Sequence, residues 1–239
     1  MPKKEGTLTT REIVSAELCD RIDALIEERS LLKHPFYTKW QAGELTLDAL
    51  KGYACQYYHH VLQFPTYVSG AHANCDDLPD RQELLENLVE EEQGPNHHPE
   101  LWLRFGEALG LKREEIIEST PLPETTNLIK TYRRLTKDNA FIGGISALYA
   151  YESQVPEVAG TKMDGLKRFY GIDDPQGLKF FIVHHSLDVE HSKVTRNLVA
   201  KYGDSPKAEQ EAMSAVDEAT NALNAFLDGV CREYVEAAA

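Results

Sequence analysis

The stretch His184-His185-Ser186-Leu187-Asp188-Val189-Glu190-His191 decides how the rest of this 239-residue sequence is interpreted. On an α-helix, with about 100° between successive residues, His184, Asp188 and His191 project from one stripe about 60° wide. His184 and His191 then lie roughly 10 Å apart along the axis, a span that suits two metal ions better than one. Imidazole and carboxylate donors without thiolate favour iron, manganese or zinc. The stretch therefore predicts a helix that lines a dinuclear metal centre, and the alternative is a solvated or salt-bridged helix face.

The composition excludes several classes of partner. The net charge is −14 and the pI is near 5.1, so the field of the protein repels nucleic acid and anionic membranes. The first ten residues lack the apolar run of a signal peptide, and no later segment has the length of a membrane span. The four cysteines are scattered without a Cys-x-x-Cys pair, as is typical of reduced thiols. These features predict a cytoplasmic enzyme with neither a nucleic-acid nor a membrane partner.

Helical periodicity dominates the chain and predicts an all-α bundle of seven or eight helices, with no linker long enough to divide it. We predict a flexible N-terminal segment, residues 1–12, and a single helical domain, residues 13–236. The predicted helices cover residues 15–33, 46–74, 79–93, 99–109, 124–136, 140–162, 178–202 and 206–234, with a short helical turn at 113–119. Pro65 is expected to bend or interrupt the second of them.

Glu152 is the second candidate for metal chemistry. It follows the apolar run 141–151, in which the only polar side chains are a serine and two tyrosines. An ionised carboxylate buried without a partner costs several kcal/mol, so Glu152 must be protonated, paired with a cation or bound to a metal. A buried ion pair with arginine is the alternative to a metal ligand.

A third candidate segment combines Glu90-Glu91-Glu92 with His97-His98. Glu91 shares a helical stripe with Leu84 and Leu88, so it is the acidic residue predicted to point inward. Gly94-Pro95 ends the helix before the histidines, and helical phase cannot choose between His97 and His98. The alternative is an exposed acidic face with two surface histidines. Carboxylates and imidazoles from facing helices are the ligands with which helical bundles bind two iron or manganese ions.

Four stretches of the chain carry a specific resemblance: Phe36-Tyr37-Thr38-Lys39-Trp40 with Gly43-Glu44-Leu45-Thr46, then Asn74-Cys75-Asp76-Asp77-Leu78, then Ala147 to Pro156, and the opening stretch His184 to His191. They resemble the CADD family (chlamydia protein associating with death domains) of haem-oxygenase-like dimetal oxidases, relatives of the pyrroloquinoline-quinone synthesis C proteins and of thiaminase-II (TenA). The resemblance covers about residues 18–230. It implies a single-domain haem-oxygenase-like seven-helix bundle that encloses a non-haem dinuclear site and activates O₂.

The resemblance also implies a ligand set. The family's metal ligands match Glu91, His98, Glu152, His184, Asp188 and His191. The family reads Gly-Tyr-Pro-Asn-His where this chain reads Gly94-Pro95-Asn96-His97-His98. Alignment on Leu101-Trp102 places the ligand on His98, whereas alignment on the Pro-Asn-His letters places it on His97. The metals expected from the resemblance are two iron ions or a manganese–iron pair.

CADD-like proteins are implicated in making para-aminobenzoate for folate from one of their own tyrosines, with a lysine that supplies the amino group. The tyrosine matches Tyr37, a second active-site tyrosine matches Tyr151, and the lysine matches Lys162. O₂ and an external reductant are the implied co-substrates, and a homodimer is the implied assembly. From the residues alone, it is equally plausible that Lys162 is an ordinary exposed lysine near a helix end.

Two alternatives remain open at the level of sequence. The chain could be an oxidase that acts on a separate small molecule, with the aromatic helix from Tyr53 to Tyr67 lining the pocket. It could also be a non-catalytic interaction protein of the death-domain type, although the sequence contains no recognisable partner motif. Turnover beyond one product per chain would distinguish the first alternative, and a metal-free protein inert to O₂ would distinguish the second.

Overall fold

The computed structural model describes residues 10–237 and confirms an all-α protein over that range. The predicted segment 1–12 falls mostly outside the described residues, and the single domain 13–236 stays a prediction. Eleven α-helices lie in the described range: α1 (Thr10–Glu28), α2 (Pro35–Ala42), α3 (Leu47–Ala73), α4 (Leu78–Glu92), α5 (His98–Ala108), α6 (Arg113–Ile117), α7 (Pro123–Lys137), α8 (Phe141–Glu152), α9 (Val155–Tyr170), α10 (Lys179–Tyr202) and α11 (Pro206–Val230).

Several predicted helix starts are confirmed. At these positions the N-cap side chain accepts a backbone hydrogen bond, as its residue type favours. The Thr46 side chain accepts a hydrogen bond from the Ala49 backbone N–H at the start of α3. The Ser205 side chain does the same for Ala208 at the start of α11. Pro206 occupies the first turn of α11, where a missing backbone N–H has no cost.

The structure corrects predicted helix boundaries in two places, and both involve proline. The first helix, predicted over 15–33, ends at Glu28, and Pro35 occupies the first turn of the short helix α2. The single helix predicted over 140–162 is two helices, α8 and α9, which are separated at Ser153 and Gln154. Pro156 explains the break, since its ring would clash with the carbonyl of residue 152 in a continuous helix. These short or divided elements account for eleven helices where the bundle was expected to have seven or eight.

Pro65 does not interrupt α3, which runs from Leu47 to Ala73 with the proline inside it. This helix packs against α4, α5 and α7, and its aromatic residues Tyr53, Tyr57, Tyr58, Phe64 and Tyr67 are buried. Burial of these side chains stabilises the helix against the loss of one backbone hydrogen bond at the proline.

Helix α8 is the centre of the core. Every residue from Ile142 to Glu152 is buried, and the helix packs against α7, α10 and α11. A helix that is apolar on all sides belongs in the middle of a bundle. Its last residue, Glu152, is thereby carried into the interior. None of the described helices is long and apolar enough to cross a membrane.

Candidate metal centre and active site

The opening stretch lies on α10 and confirms the predicted helical stripe. His184, Asp188 and His191 are all buried, whereas His185 and Glu190 between them are exposed. The His184 ring places Nδ1 2.7 Å from the carbonyl oxygen of Phe180. Because a carbonyl only accepts, Nδ1 carries the hydrogen and Nε2 keeps its lone pair. This is the arrangement by which proteins orient a histidine toward a metal ion.

Glu91, His98 and His184 form a compact cluster in the interior. Each offers one ligand atom, and these atoms all lie within 4.8 Å of one another. The Glu91 Oε2 atom is 2.6 Å from His98 Nδ1, and both side chains are buried. Burial opposes a charge on His98, but the neighbouring Glu91 carboxylate outweighs it and raises the pKa of His98.

The structure separates the roles of the two adjacent histidines. His97 is the N-cap of α5, and its Nδ1 accepts a hydrogen bond from the Glu100 backbone N–H. His98 begins the helix and turns inward to Glu91. Gly94, with φ of 81°, makes the left-handed turn between α4 and α5 that brings His98 back toward Glu91.

Glu152, Asp188 and His191 lie beside this cluster. The Asn87 amide donates to Glu152 Oε1 at 2.9 Å, and the Thr195 hydroxyl donates to Glu152 Oε2 at 3.0 Å. His191 lies between two carboxylates, with Nδ1 3.2 Å from Asp188 Oδ1 and Nε2 2.7 Å from Glu90 Oε2. Asp188 also lines the small cavity that Glu91, His98 and His184 border.

The electrostatics of this group fit a bound cation. Burial raises the pKa of Glu152 to about 7 and that of Asp188 to about 6, so the interior disfavours their negative charges. Asp188 Oδ2 is buried and has no hydrogen-bond partner among the described residues. Divalent ions would supply both the missing charge and the missing partner. A donor set of carboxylates and imidazoles without thiolate suits iron or manganese.

The three remaining predicted residues meet in a second group. Lys162 is buried, which excludes the exposed helix-end lysine considered from the sequence. Its Nζ donates to the Tyr53 hydroxyl at 2.6 Å, and the Tyr53 and Tyr37 hydroxyls are 3.3 Å apart. Burial lowers the pKa of Lys162 to about 7, so a large share of this lysine is an uncharged amine near neutral pH.

Tyr151 joins the two groups. Its hydroxyl is 2.6 Å from the hydroxyl of Tyr57. Tyr151 borders the cavity of the Glu91 cluster and also the apolar cavity that Tyr37 and Lys162 line. Each cavity has room for about one water molecule, so the two groups lie in a nearly closed interior.

Five residues that were not among the predicted site residues touch these groups, although Tyr53 and Tyr57 belong to the aromatic helix considered as a pocket lining and Glu90 to the acidic run before His97. Two of them had a detectable signal: Asn87 lies one helical turn before Glu91, and Thr195 lies one turn after His191. The others contact the site from another part of the chain or from an exposed helix face, so helical spacing from a predicted ligand does not identify them. The five are Tyr53, Tyr57, Asn87, Glu90 and Thr195.

Comparison with known proteins agrees with this arrangement. A family described as iron-containing redox enzymes matches residues 51–225. The 4-aminobenzoate synthase of Nitrosomonas europaea is 41% identical over 223 residues, 90% of this chain and 91% of that protein. The 4-aminobenzoate synthase of Chlamydia muridarum is 38% identical over 215 residues, 90% of each chain.

Among solved structures, a CADD-like protein of unknown function from Nostoc punctiforme has the same fold. Its TM-score is 0.78 at 19% identity, over 94% of this chain and 100% of that chain. The resemblance noted from the sequence is thus confirmed. The family is enzymatic, which favours the catalytic hypothesis over a pure interaction protein. The chain belongs to the haem-oxygenase-like family of iron-containing redox enzymes.

Proposed function

We propose that this protein is a 4-aminobenzoate synthase that uses a pair of metal ions and O₂ to convert its own Tyr37 into the product. The observation that supports it most strongly is the buried contact of Lys162, Tyr53 and Tyr37 next to a cluster of metal-ligand side chains. The similarity to proteins named 4-aminobenzoate synthase supports the same reaction.

The proposed ligands are the six converging side chains, and the proposed metals are Fe/Fe or Mn/Fe. Ligands to the ions would be Glu91, His98, Glu152, His184, Asp188 and His191. When bound, the metal pair would supply activation of O₂ with electrons from an external reductant. Asn87 and Thr195 orient Glu152 by hydrogen bonds, and the Phe180 carbonyl orients His184.

Comparison of tyrosine with the product identifies the bonds that change. The ring and Cβ of Tyr37 would be kept, the Cα–Cβ bond broken, and Cβ oxidised to the carboxylate. The para hydroxyl oxygen would leave as water and an amino group would take its place, for which Lys162 is the proposed donor. The Cε–Nζ bond of Lys162 would break and its Cε would stay on the chain as an aldehyde, with O₂ as the oxidant. Its lowered pKa leaves an amine lone pair available, and Tyr53 holds that amine near the Tyr37 hydroxyl.

Isotope labelling tests the source of the ring directly. We expect protein made with ring-labelled tyrosine, loaded with iron or with manganese and iron, to release labelled 4-aminobenzoate on exposure to O₂ and a reductant. The yield should not exceed one product per chain, and Tyr37→Phe should release none. Tyr149→Phe is the matched control, because the hydroxyl of Tyr149 contacts Asp23 outside the candidate site. Unlabelled product, or many turnovers per chain, would contradict the proposal.

A further inference from the structure

A buried histidine outside the proposed ligand set is enclosed by aromatic rings. His60 on α3 is fully buried. Its ring centroid lies 5.2–6.0 Å from five aromatic centroids, those of Tyr57, Phe64, Tyr67, Tyr132 and Tyr151. We refer to His60, Tyr67 and Tyr132 as the His60 chamber.

The polar atoms of the His60 chamber have no protein partners. Both ring nitrogens of His60 and the hydroxyl oxygens of Tyr67 and Tyr132 are buried without a hydrogen bond to any described residue. Buried polar groups are almost always hydrogen-bonded, and an orphaned one destabilises the fold. Several such atoms within one aromatic enclosure require an explanation.

The imidazole of His60 is neutral. Burial lowers its pKa to about 3, and the positive charge of Lys162 lowers it further in the same direction. A neutral imidazole has one N–H that donates and one nitrogen that accepts. His60 can therefore hydrogen-bond on both sides at once, and it can pass a proton without holding a charge.

Internal water would satisfy these groups at the smallest free-energy cost. A buried water molecule makes two to four hydrogen bonds, and fixing it costs less than leaving a polar group unpaired. The phenols and the imidazole of the chamber offer both donors and acceptors, as a water cluster needs. An apolar ligand would leave all of them unpaired.

We propose that His60, Tyr67 and Tyr132 hold internal water that carries protons between the α3–α7 surface and the Tyr57–Tyr151 hydroxyl pair. The use of those protons in O₂ chemistry rests on the proposed function, whereas the presence of water does not. His60 is thus assigned as a positioning and proton-relay residue.

The proposed route has an outer and an inner end. Tyr67 is the outer member, because Thr66 and Ser69 beside it on α3 and Arg133 on α7 line a surface groove. At the inner end, the His60 ring contacts both Tyr57 and Tyr151, whose hydroxyls are 2.6 Å apart. Tyr151 borders the candidate metal centre.

The chemistry along the route is proton transfer alone. At each step one O–H or N–H bond breaks and another forms on the neighbouring atom, with no change in the number of electrons. Reduction of O₂ to water takes up one proton for each electron, and the electrons come from the external reductant. A closed interior therefore needs a path for protons as well as one for O₂.

A high-resolution crystal structure of the metal-free protein tests the water directly. We expect ordered water within hydrogen-bond distance of a His60 ring nitrogen and of the Tyr132 hydroxyl. His60→Phe should remove that water, and Tyr132→Phe should remove or displace it. His59→Phe is the matched control, because His59 bonds to Ser119 on the protein surface side of α3. A dry chamber in the wild-type protein would overturn the proposal.

The proton role is tested by O₂ consumption in the metal-loaded protein. We expect His60→Phe to slow O₂ consumption at least about tenfold and to change its solvent isotope effect, with bound metal unchanged. His59→Phe should match the wild type. A wild-type rate and isotope effect in His60→Phe would overturn the relay. Failure of the wild-type protein to consume O₂ would remove the proposed function and the proton role together, whereas the crystallographic result would still decide the water.

Discussion

At the scale of single residues, Glu152 shows how far a pattern in the sequence leads. Its position after a long apolar run predicted a buried carboxylate that needs a partner, and the structure buries it. Which side chains would partner Glu152 did not follow from the sequence, because Asn87 and Thr195 come from two other helices; their spacing from Glu91 and His191 marks only the helix face they share. The burial of a carboxylate, and its need for a partner, can be inferred from the local sequence. The identity of the partner depends on how the helices pack.

Removal of the Asn87 amide should weaken metal binding. In Asn87→Ala, Glu152 loses one of its two hydrogen-bond donors, so the carboxylate is less well oriented. We expect the affinity for iron to fall by about ten- to a hundredfold in equilibrium dialysis followed by elemental analysis. Asn224→Ala, which removes an amide bonded to the Arg29 carbonyl, is the control. Equal affinities in the two variants would contradict the role given to Asn87.

Lys162 should make stability depend on pH. Burial lowers its pKa from 10.5 to about 7 in the folded protein. Between these values the unfolded chain binds the extra proton, so the free energy of unfolding rises with pH and changes little from this group below pH 7.

The matched comparison is Lys162→Met in urea unfolding of metal-free protein. We expect the wild type to gain stability relative to this variant by up to about 1.4 kcal/mol per pH unit from pH 7 upward. Groups common to both proteins cancel in the difference. A constant difference across that range would mean that Lys162 keeps an ordinary pKa.

At the scale of helices, the sequence predicted elements whose signals are local. Thr46 and Ser205 mark helix starts by their caps, and α10 presents its three inward residues at helical spacing. The sequence did not show whether His97 or His98 is the candidate ligand, because the chain between α4 and α5 is not helical. Which histidine points inward there depends on which one caps α5. The cap is set by the folded structure at the start of α5 and not by helical periodicity.

The contact between α2 and α9 is tight enough to test by one methyl group. A Cβ added at Gly165 would lie 2.6 Å from the Trp40 ring, whose Nε1 donates to the Lys162 carbonyl. We expect Gly165→Ala to lower the free energy of unfolding by about 1–3 kcal/mol, measured by urea titration.

Gly160→Ala on the same helix is the control for that substitution. Its added Cβ would meet only the His185 ring at 3.5 Å, an ordinary contact. Helix propensity should then stabilise the protein by up to about 1 kcal/mol. Similar effects of the two substitutions would show that the α2–α9 contact is looser than the structure describes.

At the scale of the whole molecule, the site is built by convergence. Glu91 and His98 come from α4 and α5, Glu152 from α8, and His184, Asp188 and His191 from α10. The sequence proposed all six as ligands, with His98 left open against His97, because each has a local signal or a counterpart in the family. It could not predict the contact of Lys162 with Tyr53, since the two residues are 109 positions apart and meet only in the folded chain.

The central claim is that these six side chains together hold two metal ions inside the bundle. Anomalous diffraction at the iron edge, from crystals of iron-loaded protein, measures this most directly. The account predicts two buried iron peaks, with Glu91, His98 and His184 around one and Glu152, Asp188 and His191 completing the pair. A single peak, or peaks bound only by exposed carboxylates, would contradict it.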